Sequence, residues 1–262
     1  VLQIYLNDEL FIRPQREDPF LSKIQPRLNV LYEDENLLIV DKQPGLPVHP
    51  DAHEKVNTLI AHVQAYLYQK GEYVPGGFAP ALCNRIDRFT GGIVIAAKTQ
   101  AAMRIINQKI RGREIRKLYL CVAFGAFRQR EGLLDNYIIK EEGRKKVRVS
   151  TRMEPGAQRA QTKYRVLAAN GELRLVECEL LTGRTHQIRA QLAHAGHPLL
   201  GDGQYGDAQR SRKYGRDFQA LYACRLIFDF STDAGILNPL KGLEIAVPQV
   251  RFVREYFPEY RL

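Results

Sequence analysis

Apolar residues fall along this chain in short runs broken by turn signals, not in long helical stripes. Leu37 to Val40 form one such run, ended by Asp41-Lys-Gln-Pro-Gly45, the pattern of a strand followed by a turn. Between 57 and 68, Leu59, Ile60, Val63 and Leu67 recur at helical spacing and predict one buried helix face. Residues 92–97 read as a buried strand, after which Thr99 has the place of a helix cap, with the helix running to Ile110. Strand-like stretches follow near 118–124, 146–150, 162–168, 173–181, 221–228 and 243–247. Gln187 to Ala195 reads as a short helix closed by Gly196. Many strands and few helices, without regular alternation, predict an α+β fold: a mixed, largely antiparallel central sheet with flanking helices and a cleft.

The pattern changes near residue 29. Val1–Leu6 alternates like a strand, and residues 7–29 carry Pro14, Pro19 and Pro26, the signature of an extended linker. The expected division is therefore a strand and linker over 1–29 and one compact domain over 30–262. No apolar run approaches the roughly 18–20 residues that cross a bilayer. Cys83, Cys121, Cys178 and Cys224 lie far apart and read as reduced core residues of a cytoplasmic protein. Glycine patterns that cradle nucleotide phosphates are absent, so a nucleotide cofactor has no support.

Charge then narrows the choice of partner. The net charge is +10, and the stretch Arg104–Arg152 holds 14 Lys and Arg against five acids, nearly the whole imbalance. A concentrated basic field attracts polyanions, and a phosphate backbone is the commonest large one, although a merely solvated surface would read the same way.

Three segments place charged or polar residues where a structural role is hard to supply. In Asn84-Arg-Ile-Asp-Arg-Phe-Thr-Gly-Gly92, Asp87 sits between Arg85 and Arg88. Neighbouring cations keep such a carboxylate ionised, which suits a nucleophile or base; a buried Asp–Arg pair capping a turn is equally open. Gly91 and Gly92 permit a tight turn and a close approach to the backbone. In Arg116–Gly125, Lys117 and Tyr119 share one strand face while Leu118, Leu120 and Val122 share the other. A tyrosine beside cations can stack a base, though an ordinary core tyrosine has the same pattern. In Leu181–Pro198, Arg184 and Arg189 are placed to face one cleft. His186, His194 and His197 are interleaved with arginine and lack a carboxylate at ligand spacing, so no metal site is expected.

Together these segments resemble the RluA family of pseudouridine synthases. The family pattern H-R-L-D-x-x-T-S-G appears as N-R-I-D-R-F-T-G-G, its K-x-Y strand as K-L-Y, and its arginine helix as T-G-R-T-H-Q-I-R. The continuation G-H-P-L-L-G-D-G-Q-Y-G and the early V-D-K-Q-P-G-L-P-V-H-P also match, in order, over about residues 30–206. Three positions depart: Asn84 replaces a histidine, Gly91 a serine, and Gln191 a frequent histidine.

The resemblance implies uridine isomerisation in RNA without a cofactor, ribosomal RNA being favoured over transfer RNA; nothing in the sequence demands an oligomer, so a monomer is expected. Asp87 would attack carbon 6 of the ring or carbon 1′ of the ribose. Tyr119 would stack on the base and help remove a proton, and Arg189 would pair with Asp87, with Arg85 in reserve. Arg85, Thr90, Lys117, Arg184, His186 and Gln187 would contact substrate. Val1–Leu6 resembles the last strand of a small RNA-binding domain often fused ahead of this fold, so 1–29 would be its remnant. The departures at Asn84 and Gly91 motivate one rival, an inactive RNA-binding protein. A glycosidase, the other rival, requires a second acid near Asp87.

Overall fold

The structure, a computed structural model, describes residues 18–260 apart from positions 142, 144 and 145. The strand expected at Val1–Leu6 lies outside the described residues. Residues 18–28, read from sequence as linker, run along the first helix, α1 (Leu59–Gln69), with Leu21 buried in a short 3-10 turn. Gln69 Nε2 donates to the Ile24 carbonyl at 2.8 Å, and the Asp18 amide donates to the Tyr68 hydroxyl at 3.1 Å. Prolines kept this segment extended, and its few apolar side chains were enough to dock it.

One mixed sheet organises everything else. Its strands are β1 (Val30–Glu33), β2 (Leu37–Lys42), β3 (Ala81–Leu82), β4 (Gly91–Ala97), β5 (Ile115–Phe124), β6 (Glu131–Lys140), β7 (Val147–Ser150), β8 (Gln158–Asn170), β9 (Leu173–Leu180), β10 (Leu221–Phe228) and β11 (Glu244–Ala246). They line up as β1-β2-β4-β10-β5-β9-β8-β6-β7, with β11 on β10 and β3 on β4. The pair β4–β10 is parallel and the other pairs are antiparallel, so the sheet is mixed and largely antiparallel, as the sequence pattern predicted.

Covered faces explain the apolar runs. Every residue of β2 and β4 is buried, because helices lie on both sides of the sheet there. On one side, Leu118, Leu120, Val122 and Phe124 of β5 pack with Ile106 of α2 (Gln100–Arg111). The same cluster takes in Phe252 and Val253 of the C-terminal helix, α5 (Arg251–Tyr256). On the other, Tyr119, Cys121 and Ala123 meet Leu59, Val63 and Leu67 of α1 and Ile188 and Leu192 of α3 (Gln187–His194). The side chains of Thr58 and Thr99 cap α1 and α2 by accepting from Ala61 and Ala102. A further short helix, α4 (Ala208–Arg212), starts at Asp207, which accepts from the Arg210 amide.

Strand β6 was not legible in the sequence. Its inward positions are Leu134, Asn136 and Ile138, and a polar residue in the middle erases the alternation. That Asn136 accepts from Gln191 Nε2 at 3.1 Å, so a half-buried hydrogen bond replaces the apolar contact a strand reading looks for.

The glycine pair at 91–92 is also explained here. A Cβ at Gly91 would lie 2.3 Å from the Tyr222 ring, and one at Gly92 would lie 2.2 Å from the Ala223 carbonyl oxygen. The close approach that the two glycines permit is made by β10. Asn84 continues the β3–β4 ladder past the end of β3: its side chain donates to the Ile93 carbonyl and accepts from the Ile95 amide. No helix among the described residues is long and apolar enough to cross a membrane.

Candidate active site

A cleft of about 840 Å³ opens on the α3 side of the sheet, walled by the 83–90 loop, the start of β5 and the 179–189 segment. All three segments singled out from sequence meet there. Asp87, Tyr119, Arg189, Arg85, Thr90, Lys117, Arg184, His186 and Gln187 all line it.

Asp87 stands on a short loop held from below. Lys42 is buried, and its ammonium donates to the carbonyls of Gln43, Leu46 and Arg88 at 3.1, 2.8 and 3.0 Å. Burial pushes Lys42 down to about 7, against the charges of Asp87 and Asp41. The Thr90 amide closes the turn onto the Asp87 carbonyl at 3.0 Å, and the buried Thr90 hydroxyl accepts from Gln219 at 3.3 Å. The loop is thus anchored at both ends while the carboxylate projects into the cleft.

Arg189 Nη1 donates to Asp87 Oδ2 at 2.8 Å, across 102 residues of sequence. The remaining guanidinium donors are fixed behind it. Nε and Nη2 grip both oxygens of the fully buried Asp202 at 2.7 and 2.9 Å, and Nη2 also reaches Gln204 Oε1 at 2.8 Å. Burial opposes the Arg189 charge, yet the two carboxylates raise its pKa above the ordinary arginine value. Asp202 is held below the usual carboxylate range despite its burial, by Arg189 and by the amides of Gln204 and Tyr205. Among the described residues, no hydrogen bond reaches Asp87 Oδ1.

The two sequence neighbours of Asp87 turn elsewhere. Arg88 Nε donates to the Gly45 carbonyl at 3.0 Å. Arg85 is exposed and forms no ion pair with a described residue; burial, then the Arg85 charge, lowers the pKa of His49.

His186 approaches from the opposite wall. It caps α3 in the left-handed backbone region, at φ 53°, and it and Arg113 are the two non-glycine residues with positive φ among those described. Both line the cleft. Strain of this kind persists where surrounding structure over-determines it, and it clusters at working sites. The Val147 amide donates to the Tyr205 hydroxyl oxygen at 2.8 Å, and His186 Nδ1 lies 2.9 Å from that oxygen. With an amide already on its oxygen, Tyr205 is placed to donate its own hydrogen to His186 Nδ1. The tautomer this arrangement favours carries its proton on Nε2, which lies 3.9 Å from Asp87 Oδ2. Burial lowers the His186 pKa, against the pull of Asp87.

Tyr119 is buried in the cleft floor, and its hydroxyl makes no hydrogen bond to a described residue. Burial, then the Asp87 charge, raises its pKa, so the phenol stays protonated. Lys117, one residue pair along the same face, has its pKa lowered by burial and forms no ion pair with a described residue. The Gln187 amide is buried: it accepts from Thr182 Oγ1 and the Arg184 amide, and donates to the Gln161 carbonyl and Thr162 Oγ1. It shapes the 182–187 loop that carries Arg184, whose Nε donates to the Arg159 carbonyl.

Gln191, where the resemblance led to histidine, is fully buried and accepts from Thr162 Oγ1 while donating to Leu134, Ala160 and Asn136. Sequence reasoning passed over Asp202, Gln204 and Tyr205. All three lie in the quoted G-D-G-Q-Y-G stretch, and the signal was an acid and an aromatic packed among glycines.

The cleft is cationic where it is open. Arg85, Arg111, Arg113, Lys117 and Arg184 line it without an ion pair to a described residue, whereas Glu179 is held by Arg116 and Asp87 by Arg189. The basic stretch read from sequence is not one patch. Lys109 is buried on Glu114, and Arg148 is paired with Glu154.

Comparison with known proteins adds an independent line. The profile of the family described as RNA pseudouridylate synthase matches residues 36–194. An uncharacterized RNA pseudouridine synthase of Bacillus subtilis is 35% identical over 209 residues, 78% of this chain and 66% of its own length. The mitochondrial tRNA pseudouridine(32) synthase of Saccharomyces cerevisiae is 33% identical over 194 residues, 74% of this chain and 39% of its own. This chain therefore spans somewhat under two thirds of the first and two fifths of the second. Among solved structures, the human RNA Pseudouridylate Synthase Domain Containing 4 superposes with a TM-score of 0.69 at 23% identity, covering 88% of this chain and 92% of that one. That likeness bears on the fold.

Proposed function

This chain belongs to the RNA pseudouridylate synthase family, and on that premise we propose that it isomerises uridines in structured RNA through Asp87. The observation that carries the reading is the asymmetry of that carboxylate. Oδ2 is fixed by Arg189 at 2.8 Å, while Oδ1 carries no hydrogen bond from a described residue and faces a cationic cleft. An aimed and open carboxylate oxygen is what a covalent attack on an electrophilic carbon requires.

Arg189 is the positioning group, itself clamped by Asp202, so the attacking oxygen pivots little. Tyr119 offers a ring on which the uracil can stack and a hydroxyl that can donate. As a proton acceptor it is poorly suited, because burial and the Asp87 charge disfavour phenolate. Neutral His186, with its Nε2–H directed toward Asp87, is a donor to a substrate oxygen. Lys117, Arg184 and Arg85 supply unpaired positive charge for phosphates on either side of an extruded nucleotide. The isomerisation exchanges the bond between ribose and ring nitrogen for one to ring carbon 5. No group enters or leaves and no electrons are gained, so no cofactor is invoked. One chain supplies every residue assigned here, so a monomer suffices.

Asp202 does not make a glycosidase pair with Asp87. Arg189 lies between them, and both Asp202 oxygens are occupied inside the protein. A ribosomal RNA substrate is supported by a relative named ribosomal large subunit pseudouridine synthase D, from Borreliella burgdorferi, 28% identical over 218 residues, 80% of this chain and 65% of its own, and a transfer RNA by the yeast enzyme above. Release of tritium from carbon 5 of labelled uridine in ribosomal RNA, set against transfer RNA, tests the whole reading. Release is expected from the wild type and none from Asp87→Asn. RNA binding without release by the wild type leaves a binding protein, and free uracil among the products indicates hydrolysis.

A further inference from the structure

Phe89 lies two residues beyond Asp87 and takes no part in the cleft described above. It is 45% exposed, although both neighbours, Arg88 and Thr90, line the cleft. Its ring stacks on Phe218, with centroids 5.8 Å apart and planes at 24°. Phe218 is braced in turn. The Arg216 guanidinium lies 4.9 Å from its ring, Arg216 Nε donates to its carbonyl at 3.3 Å, and Arg216 pairs with Glu255 at 3.7 Å. The backbone beneath Phe89 is equally fixed, since the Arg88 carbonyl accepts from Lys42 and from the Gly45 amide. Arg88 itself hangs over the Phe89 ring at 5.8 Å.

We propose that this rim pair, Phe89 on Phe218, is a stacking platform for an unpaired RNA base adjacent to the target uridine. The proposal rests on the reading of the cleft as a uridine site. A pair serving only to clip the 213–218 loop to the catalytic loop would gain by burying Phe89; instead its ring is presented, rigid, to solvent. Two residues of chain separate it from Asp87 by at most roughly 7 Å. A base neighbouring a uridine held at Asp87 therefore falls within reach, and the ring stands between two residues, Arg88 and Thr90, that line the cleft. The charge of the adjoining cleft selects the occupant: Arg85, Arg111, Arg113, Lys117 and Arg184 line it and have no acid partner among the described residues. An aromatic face next to a cleft lined by such cations fits a base on a phosphate backbone better than a lipid or an apolar peptide. Stacking tolerates any base, so the platform requires the neighbour to be unpaired and does not specify its identity.

The chain contains no tryptophan, so Phe89→Trp introduces a single fluorescent reporter. In an Asp87→Asn background, it is titrated with an RNA hairpin carrying one uridine in an adenine loop, and with the same hairpin abasic on both sides of the uridine. Quenching of the tryptophan by the first RNA is expected. With the abasic RNA quenching is lost, and affinity measured by anisotropy falls roughly tenfold. Phe89→Leu weakens binding of the intact hairpin to the same degree, while Phe89→Tyr retains it. Binding without quenching, or quenching indifferent to the abasic sites, overturns the platform and leaves the uridine site standing. If Phe89→Trp does not fold, equal affinities for wild type, Phe89→Leu and Phe89→Tyr overturn it as well. Absence of any RNA binding by the wild type overturns the functional reading and the platform with it.

Discussion

Two buried cation–carboxylate knots in this protein use the same ingredients to opposite ends. Near the end of α2, Lys109 and Glu114 close on residues 231–232. Lys109 donates to Glu114 Oε2 and to the carbonyl and hydroxyl of Thr232 at 3.0, 2.7 and 2.6 Å. Glu114 also accepts from the Ser231 and Thr232 amides and the Thr232 hydroxyl, at 2.7, 2.8 and 2.8 Å. Every hydrogen of the ammonium and both oxygens of the carboxylate are used. In the cleft, Asp202 is saturated in the same way, but Asp87, on the other side of Arg189, keeps one oxygen open. Saturation marks a group that holds the fold, and an unspent lone pair beside a cavity marks one that can react.

Breaking each knot sharpens that contrast. The largest effect is expected at the open oxygen: Asp87→Asn lowers the isomerisation rate by a factor on the order of 10⁴ or more. Thermal unfolding should show little change, and RNA binding measured by filter retention should stay within about a few-fold, since the phosphate contacts remain. Lys109→Met should do the reverse. It costs about 3 kcal/mol of stability in urea unfolding, because Glu114 loses its buried counter-charge, while the folded protein turns over at the wild-type rate.

Asp202→Asn falls between the two. Arg189 keeps a neutral partner but loses its bidentate clamp, so Asp87 is held less firmly. The expected result is a kcat lowered by a factor on the order of 10² with KM little changed. A larger change in KM than in kcat would remove Asp202 from a positioning role.

The structural knot also has a pH signature. Hydrogen bonds from the 231–232 segment and Lys109 lower Glu114 from its ordinary value of 4.5 to about 2. A depressed carboxylate contributes stability above its unfolded pKa and loses it as pH falls toward its folded one. The stability gap between wild type and Glu114→Gln is therefore expected to be full at neutral pH and to shrink below 4.5 toward about 2. Thermal unfolding across that range measures it, and a gap constant with pH removes the ion pair from the account.

The smallest effect is expected at Tyr205. Removing its hydroxyl hydrogen frees His186 Nδ1, so nitrogen-15 NMR of labelled histidine should show one tautomer in the wild type and a mixture in Tyr205→Phe. The loss of one hydrogen bond predicts a kcat about fivefold lower. An unchanged tautomer would mean that the hairpin amide at Val147 does not set the polarity of this chain of hydrogen bonds.

Much of this was legible locally. Residues 92–97 form a strand because an unbroken apolar run needs cover on both faces, and β4, set between β2 and β10 in the sheet, receives it from the two cores packed on either side. The alternation from Lys117 to Phe124 sorts into two cores, with Tyr119 on the cleft side, as strand geometry requires. Where a polar residue performs a core role, the pattern fails. Asn136 hid β6, and Gln187 and Gln191 looked like candidates for substrate or departures from a motif, yet their amides tie α3 to β8 and neighbouring strands.

The order of residues along the chain determined which elements could form, where the sheet's apolar faces would lie, and that Asp87 would sit in a charged loop ahead of a buried strand. Local charge order did not determine which cation holds that carboxylate, and Arg189 was named for it only through the family resemblance. Arg85 and Arg88 are its near neighbours in sequence, but Arg189, 102 residues on, makes the bond. Only the packing of α3 against the sheet decided that, because a buried charge must be satisfied by whatever donor the fold brings within 3 Å, and distance along the chain does not enter that energy.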